Sequence, residues 1–184
     1  MSKNKIYLLG LVTLFLFPIP AFIAFHFYND LGWQAFLQID KFLTTHIVYG
    51  LVLGIVYALL ASLILKAPIF KEIPLRIDEL VKELKINYID AIFLSLCAGI
   101  GEELLFRSGI QPFLGVWITS IFFVAIHGYF SIKNPKMSLY GLVVLPFILL
   151  ISYGFDYYGL WFSVSAHFSY DLVLFIFMIN QKDK

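Results

Sequence analysis

Charge is what this sequence has least of. Only 14% of its 184 residues are Asp, Glu, Lys or Arg, against about 25% in an ordinary soluble domain. Apolar residues make up 61%, more than one soluble core of this size can bury, so lipid must solvate the excess. A net charge of +1 gives no basis for a nucleic-acid partner. Cysteine is nearly absent: Cys97 stands alone, which excludes an intrachain disulfide framework. It lies in an apolar run and reads as a small packing residue. The sequence also lacks a serine nucleophile elbow, a glycine-rich phosphate loop and a His-Glu-x-x-His zinc motif. There is no internal repeat, low-complexity tract or second domain, so residues 1–184 read as a single membrane-embedded unit.

What is there is apolar runs of spanning length, about 20 residues each. They predict an all-α polytopic bundle of about six transmembrane helices: Ile6–Tyr28, Phe42–Leu65, Ala91–Phe106, Pro112–Tyr129, Met137–Phe155 and Leu160–Asn180. Lys3 and Lys5 precede the first run as in a signal peptide. That run is too long for a signal core and has no small-x-small site, so it reads as a retained helix. Pro18 and Pro20 are expected to kink or break it. Lys66–Asp90 is the one strongly charged connector. Within it Ile77, Leu80, Val81 and Leu84 recur at helical spacing, which suggests an amphipathic helix on the membrane surface. Asn134-Pro135 marks a turn and Asp156–Gly159 a short loop.

Six spans sort the cations by side. One side takes Lys3, Lys5, Lys66, Lys71, Arg76, Lys82, Lys85, Lys133, Lys136, Lys182 and Lys184, and the other only Lys41 and Arg107. This places both termini in the cytoplasm. Trp33, Trp117, Tyr153, Tyr157, Tyr158 and Trp161 then fall at the outer interface as an aromatic belt. The second helix carries Gly50, Gly54, Ala58 and Ser62 at four-residue spacing, a stripe suited to close helix packing. Packing within the chain is the plain reading and a homodimer face the sharper one.

Ionisable residues inside a membrane are functional candidates because they are costly there. The third helix ends in Gly101-Glu102-Glu103-Leu104-Leu105-Phe106-Arg107. Adjacent helical residues point about 100° apart, so the two carboxylates face different neighbours. Glu103 and Arg107, four apart, are placed for an ion pair, which leaves Glu102 free. Ser95, Ala98 and Gly99 offer a small-residue face for packing. His127 lies four residues after Phe123. His167 and Asp171 share one face of the last helix, and Ser163 extends it. His26 and His46 read as interfacial. A Glu and a His brought together can activate water, and a second His with an acid can stabilise an oxyanion. The same residues also match the nitrogen and oxygen donors that zinc prefers.

These residues resemble the CAAX-protease and bacteriocin-processing (CPBP, Abi) family of intramembrane proteases, which includes the type II CAAX prenyl endopeptidases. The pattern there is Glu-Glu-x-x-x-Arg, Phe-x-x-x-His and His-x-x-x-Asn or Asp, each on its own helix. Here it reads Glu102-Glu103-x-x-x-Arg107, Phe123-x-x-x-His127 and His167-x-x-x-Asp171, in that order, within about residues 90–175. The resemblance implies hydrolysis of a peptide bond in a membrane-associated peptide or protein. It implies Glu102 as general base, His127 as the residue that positions the water, and His167 with Asp171 as oxyanion stabilisers. Glu103 and Arg107 take a supporting role. A metal-free glutamate mechanism is favoured here over the competing zinc one. Asp171 stands where the prenyl endopeptidases have Asn. An ionised Asp accepts hydrogen bonds only, so it must be protonated or must orient His167 instead. The spans also set Glu102 about 18 Å along its helix, with His127 much nearer the cytoplasmic end of the next. For the two to meet, the third helix must start outside the bilayer or the fourth must extend beyond it.

Two other classes stay open: a non-catalytic immunity or scaffold protein of the same fold, and a proton-coupled transporter, since Glu, His and Asp also build proton relays. The cation bias makes one topological expectation. Single cysteines introduced between Lys66 and Asp90 should resist an impermeant thiol reagent in intact cells and react after lysis. Labelling from outside would overturn the orientation.

Overall fold

The computed structural model describes residues 2–67, 81–130 and 135–181. Their secondary structure is helical throughout: α1 (Lys3–Leu16), α2 (Pro18–Asn29), the short α3 (Trp33–Phe36), α4 (Thr44–Ile64), α5 (Tyr88–Glu103), a π-helical stretch (Leu104–Ile110), α6 (Gln111–Ile126), α7 (Pro135–Tyr158) and α8 (Leu160–Asn180). Among the described residues, five apolar stretches are long enough to cross a membrane. One of them, Tyr88–Ile126, is not a single rod. Phe106 packs on Phe123 with ring centroids 4.8 Å apart, so the chain leaves along α5 and returns along α6. The reversal sits at Gly115, whose φ of 72° and ψ of 172° break the helix. Only glycine takes that backbone without strain. Six legs therefore make up the bundle among the described residues, in five stretches of spanning length where the apolar runs predict about six. Pro18 does interrupt the first leg, standing as the first residue of α2.

The legs alternate in direction. Lys3 on α1 reaches Asp90 on α5 at 2.5 Å, and the Tyr88 hydroxyl donates to Asn180 Oδ1 at 2.7 Å at the end of α8. Those ends define one face of the bundle. At the opposite end the backbone N–H of Leu160, the first residue of α8, donates to Gln38 Oε1 at 2.8 Å. Helix α5 begins earlier than its apolar run suggests. Asn87 Oδ1 accepts from the backbone N–H groups of Ile89 and Asp90, while Asp90 Oδ2 accepts from that of Asn87. This reciprocal cap satisfies donors that a helix start leaves unpaired. Asp90 also accepts from the Tyr7 hydroxyl, so its buried carboxylate fastens α1 to α5.

The tightest packing is between α4 and α8. A side chain added at Gly50 would strike the Phe162 carbonyl and Ser165, and one at Gly54 the Ala166 carbonyl and Ser169. The small-residue stripe is thus filled from within the chain by α8. Gly99 meets the α8 backbone at Val164 and Phe168 in the same way, which draws α5 onto the other flank of α8. Cys97 is buried and free, as a packing residue should be. Val81 and Leu84 of the connector are buried against Ile6, Phe175, Met178 and Ile179, so their apolar face turns into the bundle rather than toward a lipid surface. Ile77 and Leu80 lie outside the described residues.

The expected position of Arg107 needs correcting. It is not a cation of the outer loops but is fully buried in the bundle, which makes the cation bias sharper still. Of the expected belt, Trp33, Trp117, Tyr153, Tyr157 and Tyr158 are exposed, whereas Trp161 is half-buried with its indole nitrogen turned inward.

Candidate active site

The π-helical stretch that follows Glu103 sets the register of the site. A π turn is wider than an α turn and occurs mainly where function demands it. Here it stacks Glu103, Arg107 and Gln111 at four-residue steps. Arg107 Nε donates to Glu103 Oε2 at 2.9 Å, both side chains being inaccessible to solvent. Arg107 Nη1 lies 3.5 Å from Gln111 Oε1. Gln111 Nε2 in turn donates to the Ser152 carbonyl at 3.0 Å and to Asp156 Oδ1 at 2.9 Å. The cation is thereby anchored to the far end of α7. The ion pair is the one that the Glu103–Arg107 spacing predicts.

Glu103 does more than brace its own helix. Its other oxygen, Oε1, lies 2.8 Å from His167 Nδ1 on α8. A carboxylate only accepts, so Nδ1 carries the hydrogen. His167 Nε2 lies 3.4 Å from Asp171 Oδ2. Both ring nitrogens of His167 therefore face carboxylates. Asp171 thus stands within ion-pair distance of the ring, the contact that its reading as the residue orienting His167 requires. Ser163 lies on the same face but donates to the Ile151 carbonyl at 2.9 Å, fastening α8 to α7 away from the site.

The second pair forms across the hairpin. Glu102 Oε2 stands 3.4 Å from His127 Nε2. His127 Nδ1 lies 2.7 Å from the Phe123 carbonyl oxygen; a carbonyl only accepts, so Nδ1 donates. In a neutral ring Nε2 is then a bare acceptor aimed at another acceptor, and such a pair calls for a proton or a water between them. The depth mismatch resolves in a third way. Beyond Gly115, α6 rises only about 16 Å before Ile126, so it stops inside the bundle instead of crossing it. His127 follows as its last cap, at the level of Glu102.

Phe123 joins the two halves. It is buried, stacks on His127 at 4.3 Å, meets His167 edge-on at 6.0 Å and lies 5.7 Å beneath the Arg107 guanidinium. The Phe-x-x-x-His spacing thus reflects a ring that sets the imidazole. Glu102, His127, His167 and Asp171 all line one cavity of about 220 Å³, closed by Tyr129, Tyr140, Val144, Phe147, Ile148 and Tyr170 and by Leu174, Phe175 and Met178. His26 and His46 lie elsewhere: His26 Nδ1 is 2.9 Å from the Leu31 carbonyl oxygen, and the His46 ring meets Tyr158.

Residues 85–173 match the Rce1-like family, described as type II CAAX prenyl endopeptidase Rce1-like. The segment that carries this site is thus similar to the CAAX-protease family. A similar protein is the uncharacterized YpbD of Bacillus subtilis (strain 168), 32% identical over 82 residues, which is 45% of this chain and 42% of that protein. The chain thus spans less than half the length of the curated relative it matches. No solved structure matches it.

A catalytic zinc needs three protein ligands, and the donor types are present: Nδ1 of His127 and of His167 is engaged by the Phe123 carbonyl and by Glu103, as zinc-bound histidines usually are, which leaves Nε2 of each ring with Glu102 and Asp171 on the cavity wall. No cluster of three or more His, Cys, Asp or Glu side chains arranged to hold a metal occurs among the described residues.

Sequence reasoning missed Gln111 and the tyrosines of the cavity. Gln111 has a legible signal, because it continues the four-residue series from Glu103 and Arg107. The tyrosines have none, since Tyr is common throughout the chain.

Removing one partner of a buried ion pair leaves the other uncompensated, at about 3–5 kcal/mol. Arg107→Ala should lower the unfolding free energy of the purified protein by that order and reduce folded yield. A variant as stable and abundant as the wild type would refute the pairing.

Proposed function

We propose that this chain is an intramembrane endopeptidase that hydrolyses a peptide bond in a membrane-associated peptide or protein, using water activated by Glu102 and His127. The observation that carries this reading is that a carboxylate and an imidazole from antiparallel helices meet, 3.4 Å apart, on the wall of a largely apolar cavity. Water is scarce in such a place, and a Glu–His pair is what holds and activates one.

In this mechanism Glu102 accepts a proton from the water as its oxygen adds to the carbonyl carbon. The proton then passes to the leaving amine as the C–N bond breaks, which regenerates the carboxylate. His127, fixed by the Phe123 carbonyl and ring, orients the water. His167 presents its ring to the developing oxyanion, with Asp171 and Glu103 setting its angle. Arg107 holds Glu103. No step passes through a metal. General base catalysis of this kind contributes about 10²–10⁴-fold. The cation bias supports placing both termini and the Lys66–Asp90 connector in the cytoplasm, so the cavity is reached from within the membrane or from that side.

Purified protein incubated with candidate membrane peptides should show cleavage by mass spectrometry. Glu102→Gln should lose about 10³-fold or more, because an amide cannot take the proton, and His127→Ala should lose about 10²-fold or more. Cleavage should survive a strong chelator. Folded wild-type protein without hydrolytic activity would favour the scaffold or transporter reading. Activity lost on chelation and restored by zinc would replace the glutamate mechanism and leave the peptidase standing.

A further inference from the structure

Adding water to a peptide carbonyl puts negative charge on the carbonyl oxygen, and a hydrogen-bond donor aimed at that oxygen is worth about 10²–10³ in rate. Among the motif residues only His167 presents a ring to that oxygen, and both of its nitrogens are shared with carboxylates. His167 Nδ1–H is taken by Glu103 at 2.8 Å, and Nε2 is turned to Asp171 at 3.4 Å. Asp171, standing where an amide would donate, only accepts when ionised. Glu102 and His127 are engaged with each other and with the water.

One cavity-lining group is spare. Tyr170 precedes Asp171 on α8, is 6% exposed and lines the same cavity. Its hydroxyl is buried and makes no close hydrogen bond among the described residues, with the Tyr140 side chain as its polar neighbour. Among the described residues the other buried side-chain atoms in that condition belong to His46, Ser95, Arg107, Ser108, Thr119 and Trp161, and none of those residues lines the cavity. An unpaired buried hydroxyl costs stability, and a native structure that keeps one keeps it for a reason. Tyr170 is also held rigidly. Its ring stacks on Phe147 at 4.2 Å, and its backbone is pressed against Gly54, which has no side chain to spare it room. Tyr129 and Tyr140 share the cavity but pack edge to face on each other at 4.9 Å.

We propose that the Tyr170 phenol is a catalytic residue: its O–H donates a hydrogen bond to the carbonyl oxygen of the scissile bond as that oxygen becomes an oxyanion. The inference rests on the peptidase reading. Water's oxygen bonds to the carbonyl carbon, the carbonyl π pair moves onto oxygen, and Glu102 holds the proton that water releases. Tyr170 keeps its own proton throughout. The pair returns to reform the carbonyl as the C–N bond breaks and the amine takes the proton from Glu102. A phenol in this place does the work for which an amide at position 171 would otherwise serve.

The test is Tyr170→Phe in the full chain, which keeps the ring and removes one oxygen. The expected result is a kcat about 10²–10³-fold lower with KM within about twofold, and an unfolding temperature equal to or above that of the wild type. A merely structural hydroxyl would give the reverse pattern, with stability lost and kcat per folded molecule kept. A kcat within twofold of wild type, or a loss of kcat that follows a loss of folded protein, overturns the proposal. If folded wild-type protein cleaves nothing, the peptidase reading fails and this inference with it. If the wild type cleaves and Tyr170→Phe cleaves equally well, this inference alone is wrong.

Discussion

A carboxylate with no access to solvent, Glu103, is the constraint around which this bundle is arranged. An ionised carboxylate in an apolar interior must be compensated on every side. One of its oxygens takes the Arg107 guanidinium and the other the His167 imidazole. The first contact fixes the π-helical stretch to α5, and the second fixes α5 to α8. Gln111 then fastens the guanidinium to α7 through Asp156 and the Ser152 carbonyl. Since α4 is already pressed onto α8 by its glycines, four of the six legs are referred to one buried charge.

The adjacent carboxylate has a different life. Successive residues of a helix diverge by about 100°, so Glu102 turns away from this cluster and reaches the cavity, where its side chain is 16% exposed. The helix that brings His127 to it is short because Gly115 reverses the chain and α6 ends inside the bundle. A helix that stopped there without partners would leave its last carbonyls unsatisfied. Here the backbone N–H groups of His127 and Gly128 reach the Phe123 and Ala125 carbonyls, and the Phe123 carbonyl accepts from His127 Nδ1 as well, which fixes the imidazole to the helix end.

Much of this was legible in the residues. Apolar run length gave the number of legs, and the four-residue spacings of Glu103 with Arg107 and of His167 with Asp171 gave both neighbouring pairs, because helical spacing is a local property. The stripe from Gly50 to Ala58 marked a close helix contact but could not name α8 as its partner. What was hidden depended on three dimensions. The bond from Glu103 to His167 joins residues 64 positions apart, and no periodicity announces it. Assigning Arg107 to an outer loop assumed that a cation near the end of an apolar run is solvated, whereas the π register carries it inward. The depth conflict between Glu102 and His127 arose from treating every apolar run as a full crossing. Gly115 in the sequence does not by itself say that the helix reverses there.

The division of labour between two consecutive glutamates is the claim on which the rest depends, and their unfolding free energies test it most directly. Glu102→Gln removes a carboxylate that holds water, so its unfolding free energy should stay within about 0.5 kcal/mol of the wild type. Glu103→Gln unbalances a buried cation and an imidazole at once and should lose about 3–5 kcal/mol. Equal losses, or the larger loss at Glu102, would contradict the account.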